Sequence, residues 1–89
     1  DINSKDINGN TVLIISCMYN TDNAAIKLLL DKSNIDINSQ NSDGYTALIY
    51  VCMNNNKEIL KLLLDKVYID VNVLLKHYKN NVINSKILK

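Results

Sequence analysis

Eighty-nine residues are enough for one small domain but fall below the size at which a compact core is comfortably stable. With 47% hydrophobic and 21% charged residues, and with no Pro, Trp or Phe, the chain reads as globular rather than disordered or membranous. Ten basic and nine acidic residues leave a formal net charge of +1, which excludes the basic footprint of a nucleic-acid or anionic-lipid binder, and no apolar run approaches the ~20 residues of a membrane-spanning helix.

From its first residues the chain is organised by a repeat. Asp1-Ile2-Asn3-Ser4 matches Asp36-Ile37-Asn38-Ser39, and Gly9, Thr11, Leu13, Cys17, Met18 and Asn20 recur 35 positions later as Gly44, Thr46, Leu48, Cys52, Met53 and Asn55. Leu28-Leu29-Leu30-Asp31-Lys32 recurs at an offset of 34 as Leu62-Leu63-Leu64-Asp65-Lys66, and Ile35-Asp36-Ile37-Asn38 recurs as Ile69-Asp70-Val71-Asn72, so one extra residue is expected near Thr21 to Asn23. Residues 1–5 are then expected to be the tail of a preceding repeat, 6–40 and 41–72 two units, and 73–89 a divergent helical cap or a degenerate repeat. In that last segment Tyr78 and Asn80 stand where a third Gly and Thr would fall.

Within each unit the elements follow a fixed order. A polar turn, Ile7 to Asn10 or Ser42 to Tyr45, contains a Gly that permits positive φ, and the Thr after it can cap a helix through its hydroxyl. The next run carries one broad face at helical spacing, Leu13, Ile14, Ser16 and Cys17 or Leu48, Ile49, Val51 and Cys52, without the alternation of a strand. Asn20 and Asn55 mark turns, because Asn tolerates the left-handed conformation. A second helix follows, capped by Asp22 or Thr21 in one unit and by Asn56 in the other. Its stripe is expected to be Ala25, Ile26, Leu29 and Leu30, and then Ile59, Leu60, Leu63 and Leu64. Ile-Asp-Ile/Val-Asn should be a short extended link to the next turn.

A period near 34 with a Gly-x-Thr turn, two short antiparallel helices, a Leu-Leu-Leu end and an Asp-Ile/Val-Asn link resembles the ankyrin repeat over about Asp1 to Asn72. The family's Thr-Pro-Leu-His stretch appears as Thr11-Val12-Leu13-Ile14 and Thr46-Ala47-Leu48-Ile49, so Thr and Leu persist while Pro and His do not. The resemblance implies an all-α solenoid of stacked helix-turn-helix units with short turn connections, in which each pair lends its neighbour the apolar cover that it lacks alone.

Nothing in the residue pattern calls for catalysis or a cofactor. Cys17 and Cys52 occupy equivalent repeat positions, and stacked helices lie ~8 to 10 Å apart, beyond the roughly 7 Å Cα separation a disulfide spans, so both are read as core thiols. Two distant Cys and one His, His77, do not make a protein-only zinc site, and no Ser, His and carboxylate arrangement or Gly-rich phosphate loop is present. The expected activity is non-enzymatic binding of a protein partner, with no nucleic acid, membrane or small-molecule substrate, by a monomer or a stretch of a longer array. Two alternatives are a substrate-recruiting segment of a larger enzyme or ubiquitin-ligase adaptor, and a self-associating spacer. The resemblance places contacts on turn tips and the concave helix face, here Ile7, Asn8, Asn10, Met18, Tyr19 and Lys32, with Ser42, Asp43, Tyr45, Met53, Asn54 and Lys66 in the second unit. Tyr19 and Tyr45 are the expected anchors. No Asn has Ser or Thr two positions later and the first residues are unlike a signal peptide, so the expected setting is intracellular and cytoplasmic, meaning host cytoplasm if the source is a virus or an intracellular organism.

Overall fold

Four short helices form where the caps permit them in the computed structural model, which describes residues 1–66. They are α1 (Val12–Met18), α2 (Asn23–Leu30), α3 (Ala47–Met53) and α4 (Lys57–Leu64), and no strand occurs among the described residues. The Thr11 hydroxyl accepts the Ile14 N–H at 3.2 Å and the Thr46 hydroxyl that of Ile49 at 3.3 Å, each filling one orphan donor of an inner helix. Asn20 and Asn55 reverse the chain at φ 52° and 57°. Asp22 then caps α2 through the Ala24 N–H at 3.1 Å, and Asn56 caps α4 through the Ile59 N–H at 3.3 Å. The proposed cap at 73–89 and His77 lie outside the described residues.

The inner helices α1 and α3 stack on each other and the outer helices α2 and α4 do the same, while α1 also packs on α2 and α3 on α4. One core runs through both units: Leu13, Ile14, Cys17, Ile26 and Leu30 join Leu48, Ile49, Val51, Cys52, Ile59 and Leu63. Ile14 and Ile49 sit where the repeat pattern places His, and both are fully buried, so an apolar contact replaces a polar network there.

Asparagine amides close the seams between units. Asn54 Nδ2 donates to the Cys17 and Met18 carbonyls at 2.8 and 3.2 Å, which lie at the C-terminal end of α1 where carbonyls lack helical partners. Asn56 Nδ2 donates to Asn20 Oδ1 and Asn23 Oδ1, both at 2.8 Å. At the opposite edge Asn3 donates to the Asn34 carbonyl and accepts from the Asp36 N–H, both at 2.8 Å.

Two local expectations are corrected. The buried residues of the outer helices are Ile26 and Leu30 in α2 and Ile59 and Leu63 in α4, an offset of 33, whereas the Leu-Leu-Leu-Asp-Lys match gives 34. Ile26 follows the left-handed Asn20 by six residues, and Ile59 follows Asn55 by four, so two residues rather than one are inserted before α2. Relative to that sequence match, α2 is therefore turned by one residue, about 100°. Ala25 and Leu64 point outward, and Leu28 is 67% exposed. The Asp-Ile-Asn link is also a turn rather than an extended piece, since the Asn3 and Asn38 N–H groups bond to Asp1 Oδ1 and Asp36 Oδ1 at 3.0 and 3.1 Å.

The glycines are not equivalent. Both have positive φ, but a Cβ on Gly9 would sit 2.8 Å from the Ser42 backbone nitrogen, while one on Gly44 meets only the Gln40 side chain at 3.7 Å. Gly44→Ala should cost about 1–2 kcal/mol for the left-handed backbone, and Gly9→Ala clearly more, as read by urea denaturation of both variants. Equal losses would show that the turns do not meet as described. Ile59→Ala, in the shared core, should cost about 2–5 kcal/mol in the same assay.

Candidate partner-binding face

Each turn tip is built around one side-chain oxygen. Asp6 Oδ1 accepts the Asn8 and Asn10 N–H groups, both at 2.9 Å, while Gly9 N donates to the Asp6 carbonyl and Asp6 N to the Asn10 carbonyl. Asn41 Oδ1 does the same for Asp43 and Tyr45 at 3.0 Å each, with the same backbone pairing. Ser42 N then donates to the Asn8 carbonyl at 3.0 Å and ties one tip to the next. Ile7, Asn8, Ser42 and Asp43 are thereby held exposed on a backbone whose donors are largely spent, and Ile7 is 96% exposed.

The structure divides the expected contact residues. Ile7, Asn8, Ser42 and Asp43 share the tips, Tyr19 is 72% exposed at the end of α1, and Met53 is exposed at the end of α3. Asn10 is corrected: it is buried, and its Oδ1 accepts from Asn41 Nδ2 at 2.9 Å. Asn54 projects its amide onto α1, so its polar group serves stacking. Met18 and Tyr45 are half-buried, and the Tyr45 ring lies 5.2 Å from that of Tyr50, tilted at 50°. Lys32 and Lys66 are brought together elsewhere, in an open cleft of about 420 Å³ with Leu30, Asp31, Ile35 and Asp36, which includes none of the tip residues.

Asn41 and Tyr50 are the positioning residues that the repeat pattern did not single out. Asn41 stands where the first unit has Asp6, and its amide gains a donor the carboxylate lacks, which reaches Asn10 and, at 3.1 Å, the Tyr50 hydroxyl. The swap from Asp to Asn at equivalent turn positions was the available signal. On the inner helix, Val12 is 43% exposed, whereas its equivalent Ala47 is 1% exposed. Ile7, Val12 and Tyr19 are the exposed large apolar side chains of the first turn and inner helix.

Little in this region favours chemistry at a reactive group. Cys17 and Cys52 are buried and in no disulfide, and burial pushes the Cys17 thiol up to about 12, so it is protonated at neutral pH. On the outer helices Lys27 pairs with Glu58, and Asn23 Nδ2 donates to Glu58 Oε1 at 2.7 Å. The hydrogen bond from Lys27, then that from Asn23, hold the Glu58 carboxyl below its ordinary value.

Helix pairs that follow glycine turns, turn back at left-handed Asn residues and share one continuous core define a helical-repeat solenoid. The model of the family "Ankyrin repeats (3 copies)" matches residues 1–75, and the chain belongs to the ankyrin-repeat family. It is 37% identical over 67 residues to "Ankyrin repeat protein OPG189" of Variola virus, isolate Human/India/Ind3/1967, and equally to the protein of that description from Variola virus. Each match covers 74% of this chain and 12% of the relative, so the chain spans about an eighth of the length of the curated relatives it matches. Ankyrin repeats generally mediate protein–protein interaction and are typically non-catalytic. No helix among the described residues is long and apolar enough to cross a membrane.

Two measurements check this geometry. Asn41→Asp keeps the turn acceptor but removes the buried donor to Asn10 and Tyr50, and should cost about 1–3 kcal/mol, while Asp6→Asn keeps an acceptor at an exposed site and should cost well under 1 kcal/mol. A reversed order in thermal or urea melts would contradict the network. Because Glu58 is lowered in the folded state, its contribution is present above the ordinary carboxylate value of 4.5 and lost as pH falls through the folded value. Glu58→Gln should therefore flatten the fall in stability on the acid side of about pH 5, a slope read from melts at successive pH values.

Proposed function

We propose that this chain is a non-catalytic binding segment, arranged as units 6–40 and 41–72, that holds a protein partner on its turn tips and inner-helix face. The observation that carries this reading is Ile7, an almost fully exposed aliphatic side chain fixed by the Asp6-centred turn beside a second turn hydrogen-bonded to it. A solvent-facing apolar side chain on an ordered backbone binds with little further loss of conformational entropy. Tyr19 and Val12 extend the apolar area along α1, and Asn8, Ser42 and Asp43 supply a polar rim. Asn10, and the amide of Asn54, support this face from within.

The likeness to viral ankyrin-repeat proteins supports a cytoplasmic setting and host proteins as the pool of partners. A photo-crosslinking side chain at position 7 or 19 should form partner adducts, and one at Lys57 or Lys61 on the outer helix should not. Adducts confined to the outer positions would place the partner on the opposite face and overturn the reading.

A further inference from the structure

Only two glycines occur in the sequence, and the residues before them are Asn8 and Asp43. Asn8-Gly9 is thus the single Asn-Gly step of the chain, and every other Asn precedes a residue whose side chain crowds the following amide nitrogen. Stacking keeps glycine there, since a Cβ on Gly9 would meet the Ser42 backbone nitrogen at 2.8 Å. Asn8 is exposed with the following unit's turn tied to it, and its equivalent Asp43 is exposed with a preceding unit packed against it, so neighbours on either side leave this position open to water. The backbone around the step is fully engaged. Asn8 N donates to Asp6 Oδ1 at 2.9 Å, Gly9 N donates to the Asp6 carbonyl at 2.9 Å, and the Asn8 carbonyl accepts from Ser42 N at 3.0 Å.

We infer that Asn8-Gly9 is a site of spontaneous covalent modification, at which the Asn8 side-chain amide is lost through a cyclic imide when the turn opens, and that the stacking of the two turns controls the rate. The Gly9 nitrogen attacks Asn8 Cγ, its proton passes to the leaving amide nitrogen, and ammonia departs as the ring closes. Water then adds to one of the two ring carbonyls. Breaking the bond from the Gly9 nitrogen to Cγ gives aspartate on an unchanged backbone, and breaking its bond to the main-chain carbonyl carbon gives isoaspartate. In the closed turn the Gly9 N–H is committed to Asp6 and Asn8 is pinned by Asp6 and Ser42, so the ring forms only from the open state. Aspartate at this position reproduces what the second unit already carries as Asp43. Isoaspartate lengthens the turn by one carbon and moves the carbonyl that accepts from Ser42 off the main chain as a carboxylate, which breaks the tie between the turns.

The 89-residue chain is held in mildly alkaline buffer, folded or in urea that unfolds it, and followed by peptide mapping with mass-spectrometric fragmentation that separates aspartate from isoaspartate. Both products should accumulate at position 8 ahead of every other Asn, about tenfold more slowly in the folded chain than in urea. Ile59→Ala, which weakens the shared core, should speed the reaction of the folded chain several-fold. Asn8→Asp should melt close to the parent chain, and the isoaspartate fraction, isolated by chromatography, about 5 °C lower. Faster loss of another amide, or conversion in urea with none in the folded chain, would overturn the site. Equal rates with and without urea, or a folded rate untouched by Ile59→Ala, would overturn the control by stacking. An isoaspartate fraction that melts with Asn8→Asp would overturn the loss of the tie.

Discussion

Everything in this molecule depends on one helix pair burying the face of the next. α1 and α2 cannot enclose Leu13, Ile14, Cys17 and Ile26 by themselves, and those residues become fully buried only in a core continuous with Ile49, Val51 and Ile59 of the following unit. Helices of seven or eight residues are too short to be stable alone, so packing rather than intrinsic propensity makes them helical. Apolar burial is non-directional and would tolerate sliding. The asparagine clamps are directional, and each pairs a side chain of one unit with a backbone or side-chain group of its neighbour. Burial supplies the attraction and the amides fix the register.

The departures from the usual Thr-Pro-Leu-His stretch follow the same division of work. With Val12 or Ala47 in place of Pro, no ring presets φ at the first helical position, and the Thr hydroxyl remains the local device that starts each inner helix. With Ile14 or Ile49 in place of His, polar cross-linking near the turn disappears and apolar area is gained. Turn order is instead carried by Asp6 and Asn41, whose side-chain oxygens each gather two backbone donors. The abundance of Asn in the composition thus has a structural use, since an amide both donates and accepts and can bridge two units as Asn3 and Asn41 do.

The inner half of each unit was legible from sequence, and its outer half only in part. Gly9, Gly44, Asn20 and Asn55 announce positive φ because few other residues accept it, and the structure places all four there. Thr11 and Thr46 announce helix starts for an equally local reason. The expected α2 stripe held the buried Ile26 and Leu30, but the correspondence between α2 and α4 was misread, because an alignment of identical letters, Leu-Leu-Leu-Asp-Lys, matches residue types, whereas burial depends on rotation about the helix axis. Three consecutive leucines hide a one-residue turn, since any of them can serve as the buried one. Asn10 was misread for a related reason: a polar residue after a turn Gly normally faces solvent, and its burial depends on Asn41, distant in sequence and recognisable only by its departure from Asp.

Equivalent positions in the two units carry different side chains and differ in exposure. Asn54 turns its amide onto the carbonyls of α1, while Tyr19, one repeat earlier, presents its ring to solvent. Ala47 and Val51 are sealed in the core, while Val12 is open and Ser16 half-buried. In the second unit, α3 packs against α1 of the unit before it, which also receives the Asn54 amide. Tyr19 and Ile7 instead keep a wide apolar surface in water, with Asp6 and Asn8 holding the turn that carries Ile7. In the binding reading proposed above, an exposed apolar side chain on an ordered turn is the surface offered to a partner.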